Sequence, residues 1–277
     1  MTEAVPHQNA SPDLRHPNDD TEIDSVPRPI VSRITEIPNG RVIGRHHHRR
    51  AQLLYASKGG ITVKTAIGIW VVPPLRAVWI PPLIDHEVST KGTVTVRSLY
   101  IDPDTIKGLP QDCCVITVSP LLREMILKAV ETPVLYDING SDGRFMGGLI
   151  DQIKALPETP MHLPVTDHPG LSPIIKTLYE NPNDSRSLES WATRLGTSSR
   201  TLARLFQKET NMSFRQWRQQ ARLLEALTRL AAGASVTNVA MDLGYANTVV
   251  DTACATRDLP DGQGGVLAAD DLHRAAL

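Results

Sequence analysis

The sequence has few cysteines, almost no net charge and no long apolar run, and each scarcity removes a class of protein. Three cysteines, two of them the neighbours Cys113 and Cys114, supply neither a disulfide framework nor a CxxC metal pattern. A reducing compartment, the cytoplasm, is therefore expected, with Cys113 and Cys114 packing as small apolar residues. No apolar stretch approaches the roughly 18 residues a membrane span needs, so a soluble globular chain with no membrane partner is expected. Twenty-nine Lys and Arg against 30 Asp and Glu leave a formal charge of −1, an average that gives no hint of a nucleic-acid partner. Also missing are a Ser/His/Asp arrangement, a phosphate-cradling glycine loop and a pair of carboxylates placed for acid–base work. Met1 to Val26 lack an apolar core behind a basic start, so residues 1–28 read as a disordered leader and not as a secretory signal.

What is present is length and a change of texture. A chain of 277 residues, 41% hydrophobic and 21% charged, fits two modest domains with substantial cores. From about Pro29 to Pro103 short β-prone runs alternate with turn residues, the pattern of an antiparallel all-β unit. The runs are Ile30 to Ile37, Ala51 to Ala56, Gly60 to Ala66, Gly68 to Val72, Ala77 to Ile80 and Thr93 to Ile101. In the last of these Val94, Val96, Ser98 and Tyr100 share one face. Ser119-Pro120 then opens a helix through Val130, and a second helix is expected from Asp142 to Leu156 with Leu149, Ile150, Ile153 and Leu156 as its apolar stripe. Five prolines between Pro157 and Pro173 forbid a continuous helix and mark a linker, 157–173, that ends a sensor unit at 29–156.

Beyond the linker the pattern is helical, over 174–250. Ser187 caps Leu188 to Leu195, whose Leu188, Trp191, Ala192 and Leu195 form a stripe expected to be buried. Gly196 ends that helix and Thr197-Ser198-Ser199 caps the next, Arg200 to Thr210, which gives a helix-turn-helix. On this second helix Leu202, Leu205 and Phe206 lie together, and Arg200, Thr201, Arg204 and Lys208 lie opposite. An apolar face held by a partner helix, with long donors projecting outward, is what a recognition helix needs. A long helix follows from Phe214 to Ala231, with Phe214, Trp217, Ala221, Leu224 and Leu227 inward. Between Gly196 and Leu230 seven basic residues face two acidic ones, a local positive footprint in a neutral chain. Ser235 caps a further helix ending at Gly244, where a second helix-turn-helix begins.

The runs SLESWA at 187–192, SRTLARLFQKET at 199–210, SFRQWR at 213–218 and SVTNVAMDLGY at 235–245 resemble the DNA-binding domain of AraC/XylS-family transcription regulators, over roughly residues 171 to 247. The resemblance implies two helix-turn-helix modules bridged by the long helix and set in successive major-groove segments. Ser199, Arg200, Thr201 and Arg204 would face base edges, and Ser198, Lys208 and Arg218 would meet phosphates, with Arg222 reading as an internal ion-pair partner. The β-rich half resembles the cupin-like sensor of one subgroup in HHHRRAQLLYA at 46–56, WVVPP at 70–74, AVWIP at 77–81 and RSLY at 97–100. The expected fold class is thus α+β, a cupin-like β-barrel followed by helices and then an all-α DNA-binding domain.

The resemblance stops after Asn247. The family continues with a Phe-Arg-Arg run in a second recognition helix, whereas residues 251–277 hold two arginines against five aspartates and no aromatic residue. An acidic segment is a poor phosphate partner. So abrupt a stop suggests a shifted reading frame and an incomplete second module, with a diverged working tail as the alternative.

In the sensor half, His46 and His48 form a His-x-His pair, and His86 comes from a later strand. Cupins are similar in binding a divalent metal with two such histidines, an acid and a later histidine. Here Gln52 stands near the place of the acid, which disfavours catalytic metal chemistry. Three readings of the cluster stay open: a Ni, Zn or Cu site of His46, His48 and His86, a polar rim, or a pocket for an organic effector. The expectation is a sequence-specific regulator that binds double-stranded DNA, responds to a small-molecule or metal effector and catalyses no reaction. The resemblance adds a homodimer, through the helices at Leu121 to Val130 and Asp142 to Leu156, and RNA polymerase as a further partner. The rival reading is a metal-dependent cupin enzyme whose helical half is an oligomerisation module.

Overall fold

The computed structural model describes residues 20–56, 59–73, 76–154, 158–159, 162–231 and 233–244. The segment where the family resemblance ends, with the whole of 251–277, lies outside them. After a short helix α1 (Asp20–Ser25) come nine strands: β1 (Ile30–Ile37), β2 (Val42–His46), β3 (Ala51–Ala56), β4 (Gly60–Lys64), β5 (Gly68–Val72), β6 (Arg76–Ile80), β7 (His86–Lys91), β8 (Val94–Ile101) and β9 (Cys114–Thr117). Helices α2 (Pro120–Ala129) and α3 (Ser141–Lys154) follow, then two short strands, β10 (Glu158–Thr159) and β11 (His162–Pro164). The helical half comprises α4 (Ser172–Glu180), α5 (Leu188–Arg194), α6 (Ser199–Thr210), α7 (Phe214–Ala231) and α8 (Val236–Asp242).

The expected barrel is a sandwich of two antiparallel sheets, ordered β1-β8-β3-β6-β9-β10 and β11-β5-β4-β7-β2. The six strands read from the sequence are all there, and β2, β7 and β9 are additional. Burial of β2 alternates poorly, and β7 reads His-Glu-Val-Ser-Thr-Lys, so neither carries the apolar alternation that marks a strand. The proline-rich segment is not bare linker. Its β10 pairs with β9 and its β11 with β5, one strand to each sheet, which ties down the chain between the halves.

The layers follow from which face of each strand is apolar. On one face of the six-stranded sheet, Leu53, Tyr55, Trp79 and Leu99 pack under Leu122 and Ile126 of α2 and Met146, Leu149, Ile150 and Ile153 of α3. The apolar stripes of these two helices are therefore spent on the sheet, while Leu121, Leu135 and Ile138 stay exposed. On the other face Leu54, Val78, Ile80, Val94 and Val96 meet Ile61, Val63 and Val88 of the five-stranded sheet.

That second sheet is covered on its outer side as well. Register places Thr62 opposite Val71 and Lys64 opposite Ile69, on the face away from Ile61 and Val63. There α7 and α4 of the helical half lie against it. Trp217 donates from Nε1 to the Pro164 carbonyl at 2.8 Å, the Thr62 hydroxyl bonds that of Tyr179, and the Lys64 ammonium stands 5.0 Å from the Tyr179 ring centroid. The same hydrophobic cluster runs from Ile61 and Val63 through Leu171 and Leu178 to Trp217, Leu224 and Leu227, so the halves share one core.

At Gly60 the strand lies close against α7, because a Cβ there would stand 3.1 Å from Thr228 Cγ2. Gly60→Ala should destabilise the chain by ~1–3 kcal/mol through overpacking. Thr228→Ser, which removes that methyl group and keeps the hydroxyl, should recover part of the loss. In a thermal-unfolding double-mutant cycle, additive effects of the two substitutions would show that the halves are not docked this way.

Candidate nucleic-acid interface and effector site

The first helix-turn-helix is built by caps. Ser187 accepts from the Ser190 amide to start α5, Gly196 at φ +64° lets the chain turn, and Ser198 accepts from the Thr201 amide at 3.1 Å to start α6. A residue with a Cβ is strained in that left-handed conformation, which is why glycine closes the helix. Leu202 and Phe206 anchor α6, with Phe206 edge-on to Phe214 at 5.6 Å and to Trp217 at 6.2 Å. Ser213 and Gln216 form a reciprocal capping box at the start of α7, in which Gln216 Oε1 accepts from the Ser213 amide at 2.9 Å and Ser213 Oγ accepts from the Gln216 amide at 3.3 Å.

Arg200, Thr201, Arg204 and Lys208 are exposed together on α6, with Ser199 half-buried beside them. Ser198 is exposed, but its hydroxyl is engaged as the cap and bonds the Thr201 hydroxyl at 2.9 Å. Lys208 approaches Glu209 at 3.8 Å with its side chain 80% exposed, so it remains presented to solvent. Arg218 departs from the group. It is half-buried, and its Nη1 donates to the Arg186 carbonyl at 3.2 Å. Among the described residues Arg222 has no carboxylate partner, and it donates to the Pro182 carbonyl at 2.8 Å. Leu195, expected inside, is 40% exposed because the helix has ended before it and its side chain leaves the stripe. Sequence reasoning passed over Gln207, which is exposed and lies seven residues from Arg200, hence on the same side of the helix.

At one end of the sandwich, between the sheets, a second polar group is assembled. His46 of β2 is paired in register with His86 of β7, and His48 follows in the turn before β3. The ring centroids stand 4.3 Å apart for His46 and His86, 5.2 Å for His48 and His86, and 6.2 Å for His46 and His48. Each Nδ1 faces a backbone carbonyl: Gly44 for His46, Arg50 for His48 and Ile84 for His86. A carbonyl only accepts, so the hydrogen sits on Nδ1 and Nε2 is the accepting nitrogen of each ring.

His48 Nε2 lies 3.2 Å from the Gln52 side chain, whose other end reaches Ser98 Oγ and Tyr100 Oη at 3.0 Å each. With the Gln52 amide turned so that its NH2 faces His48, the NH2 donates to that nitrogen and the amide oxygen accepts from both hydroxyls. His86 Nε2 is buried with no hydrogen-bond partner among the described residues. Among those residues, no group of three or more His, Cys, Asp or Glu side chains is spaced to hold a metal ion. Cys113 is half-buried, and desolvation with Asp112 nearby pushes its thiol up to about 12, which keeps it protonated and unreactive.

Residues 28–138 match the model of the AraC-like ligand binding domain, and residues 191–249 match a helix-turn-helix domain. The chain is 37% identical over 203 residues to the HTH-type transcriptional regulator NimR of Escherichia coli strain K12, across 73% of this chain and 74% of NimR. It is 41% identical over 75 residues to the HTH-type transcriptional regulator RipA of Corynebacterium glutamicum, across 27% of this chain and 23% of RipA. Among solved structures it is similar to ToxT from Vibrio cholerae, with a TM-score of 0.35 at 10% identity over 89% of this chain and 98% of that one. No described helix is long and apolar enough to cross a membrane.

Burial lowers His86 from 6.5 to about 4. The neutral ring is therefore favoured in the folded state, and its contribution to stability is lost as the pH falls below the unfolded value. Between about pH 7 and pH 5 the unfolded chain takes up this proton and the folded chain does not, a loss of about 2 kcal/mol. Urea unfolding of the wild type and His86→Gln across this range should show the smaller pH dependence in the variant. Parallel curves would mean that His86 titrates normally.

Proposed function

Because this chain belongs to the AraC/XylS family of transcription regulators, we propose that it reads double-stranded DNA with the exposed face of α6 under control of an effector held between its sheets. The observation that carries this reading is the joint exposure of Arg200, Thr201 and Arg204 on a helix whose opposite side is locked by Leu202 and Phe206. Arg200, Thr201, Arg204 and Ser199 then meet base edges in the major groove, with Gln207 on the same side, while Lys208 and the capping residue Ser198 lie toward phosphates. The sensor half, residues 29–156, binds and does not catalyse. The helical half, 174–250, reads, and 157–173 joins them. The protein works in the cytoplasm as a homodimer, for which exposed Leu121, Leu135 and Ile138 beside α2 and α3 offer apolar surface, and RNA polymerase is its partner at the promoter.

Arg204→Ala should relax sequence preference, and Lys208→Ala should weaken binding to all sequences alike and flatten the salt dependence. Gel shifts on duplexes from the DNA upstream of the gene and its neighbours test both. A uniform loss for Arg204→Ala would remove its base-reading role. The acidic tail is proposed to lower affinity, so a version carrying a family-like C-terminus in place of 248–277 should bind more tightly in the same assay, and equal affinity would defeat that idea.

For the effector, the observation is the buried His86 Nε2, without a hydrogen-bond partner among the described residues, on a ring whose centroid stands 4.3 Å from that of His46 and 5.2 Å from that of His48. In kind, three imidazoles held through Nδ1 suit Ni, Zn or Cu, although their spacing is not that of a formed site. A donor group of an organic effector would satisfy the same atom. Purified protein equilibrated with each metal and desalted should retain it, and His86→Ala should not. Equal retention by the two proteins would leave the organic effector as the reading.

A further inference from the structure

Two of the four arginines on α7 are turned toward the protein itself. Arg218 is half-buried with its guanidinium carbon 5.4 Å from the Phe214 ring centroid, and its Nη1 donates to the Arg186 carbonyl at 3.2 Å. One turn later Arg222 donates from Nε to the Pro182 carbonyl at 2.8 Å. Both acceptors lie in the loop between α4 and α5. Inside that loop Asp184, 8% exposed, accepts from the Arg186 amide at 2.9 Å and also from its guanidinium, which stands 3.9 Å from the Trp191 ring centroid on α5. On the other side of Arg222 is the turn that closes α8, where a Cβ on Gly244 would come 4.0 Å from Arg222 Nη2.

We propose that Arg218 and Arg222 are positioning residues for DNA recognition, which clamp the 181–187 loop to α7 through its carbonyls and so set where α5, with the reading helix packed on it, stands against the bridging helix. The inference rests on the DNA reading above and replaces the phosphate role expected of Arg218. Loop carbonyls have no helix or strand to pair with, and leaving them unpaired at a half-buried site is costly. A guanidinium supplies several N–H donors in one plane, which suits it to this task better than an ammonium. A donor committed to a protein carbonyl is also withheld from a phosphate. Two cations one helical turn apart repel each other, and buried Asp184 offsets that repulsion at Arg218. The loop thus carries one carboxylate, already paired with Arg186, close to Arg218, which eases but does not cancel the charge of the two clamping arginines.

Arg218→Met and Arg222→Met in the full chain keep aliphatic bulk and remove the donors, and Lys208→Ala serves as the exposed comparator. Affinity is measured between about 50 and 200 mM salt for the upstream duplex that the wild type retains and for a scrambled duplex of equal length. Losing one phosphate contact lowers the slope of log K on log salt by about 0.9, as expected for Lys208→Ala. Both Met variants should keep the wild-type slope, lose roughly tenfold in affinity for the retained duplex and show a smaller preference over the scrambled one. A partly unfolded preparation would lower the active fraction without changing that preference. A slope reduced by about one contact in either Met variant, or an unchanged preference, overturns the proposal.

Amide hydrogen exchange on the free protein gives a second readout. Residues 184–187 should lose protection in both variants while the sensor sheets keep theirs, and unaltered protection of the loop also overturns the clamp. If the wild type retains no duplex at all, the DNA reading fails, and the exchange result still decides the clamp.

Discussion

Burial of the five-stranded sheet on both faces is the constraint from which the rest of the arrangement follows. Ile61, Val63 and Val88 close the sandwich from one side, and Ile69, Val71 and Leu163, on the opposite face by register, are 6%, 5% and 1% exposed because the helical half lies over them. An antiparallel sheet in a lone sandwich usually leaves one face to water. Here that face carries the polar residues Thr62, Lys64, Glu87 and Ser89, of which Thr62 and Lys64 meet Tyr179 and Lys64 also approaches Glu87. A continuous apolar cluster resists sliding of one half over the other, since close-packed interiors do not deform smoothly. The two short strands β10 and β11 serve the same end, holding the connecting chain to the sheets.

Charge is divided by use as well as by sequence. The helical half carries the excess of basic residues, yet its cations fall into different groups. Arg200, Arg204 and Lys208 point to solvent. Arg229 is paired with Glu225 and Asp242 at 2.8 and 2.9 Å, and Arg186 with Asp184, while Arg218 and Arg222 hold carbonyls. A count of seven basic residues between Gly196 and Leu230 therefore overstates the surface field, because only part of it is free to act at a distance. Direction of the side chain, which a count omits, decides whether an arginine reads DNA or holds its own fold.

The helices were legible because each carries both its stripe and its punctuation. Ser119, Ser187, Ser198 and Ser235 cap the helices they were expected to cap, and apolar residues of α6 and α7 fall inside at helical spacing. The missed strands were illegible for a physical reason. β2 and β7 lie toward one edge of their sheet, and β2 is mostly exposed, so neither needs the apolar alternation that sequence reasoning looks for. Leu195 failed because periodicity continues past the point where a glycine turn has ended the helix. In the sensor, the meeting of His46, His48 and His86 was foreseeable from types and spacing. The carbonyl that each Nδ1 faces was not, because a backbone acceptor leaves no mark in the sequence.

Strand β7 connects the two functions. It begins at His86 beside the inner polar cluster, and along its length pairs with β4, which opposes Thr62 to Ser89 and Gly60 to Lys91. The same Thr62 and Gly60 meet Tyr179 and Thr228 of the helical half. A ligand that satisfies His86 Nε2 therefore acts on a strand hydrogen-bonded to the one on which α7 rests. Such a ligand alters DNA binding only to the extent that it binds one arrangement of the halves better than another. Close docking couples the two, because β4 lies against α7 at Gly60, where even a Cβ would crowd Thr228, so a shift of β4 is passed to that helix.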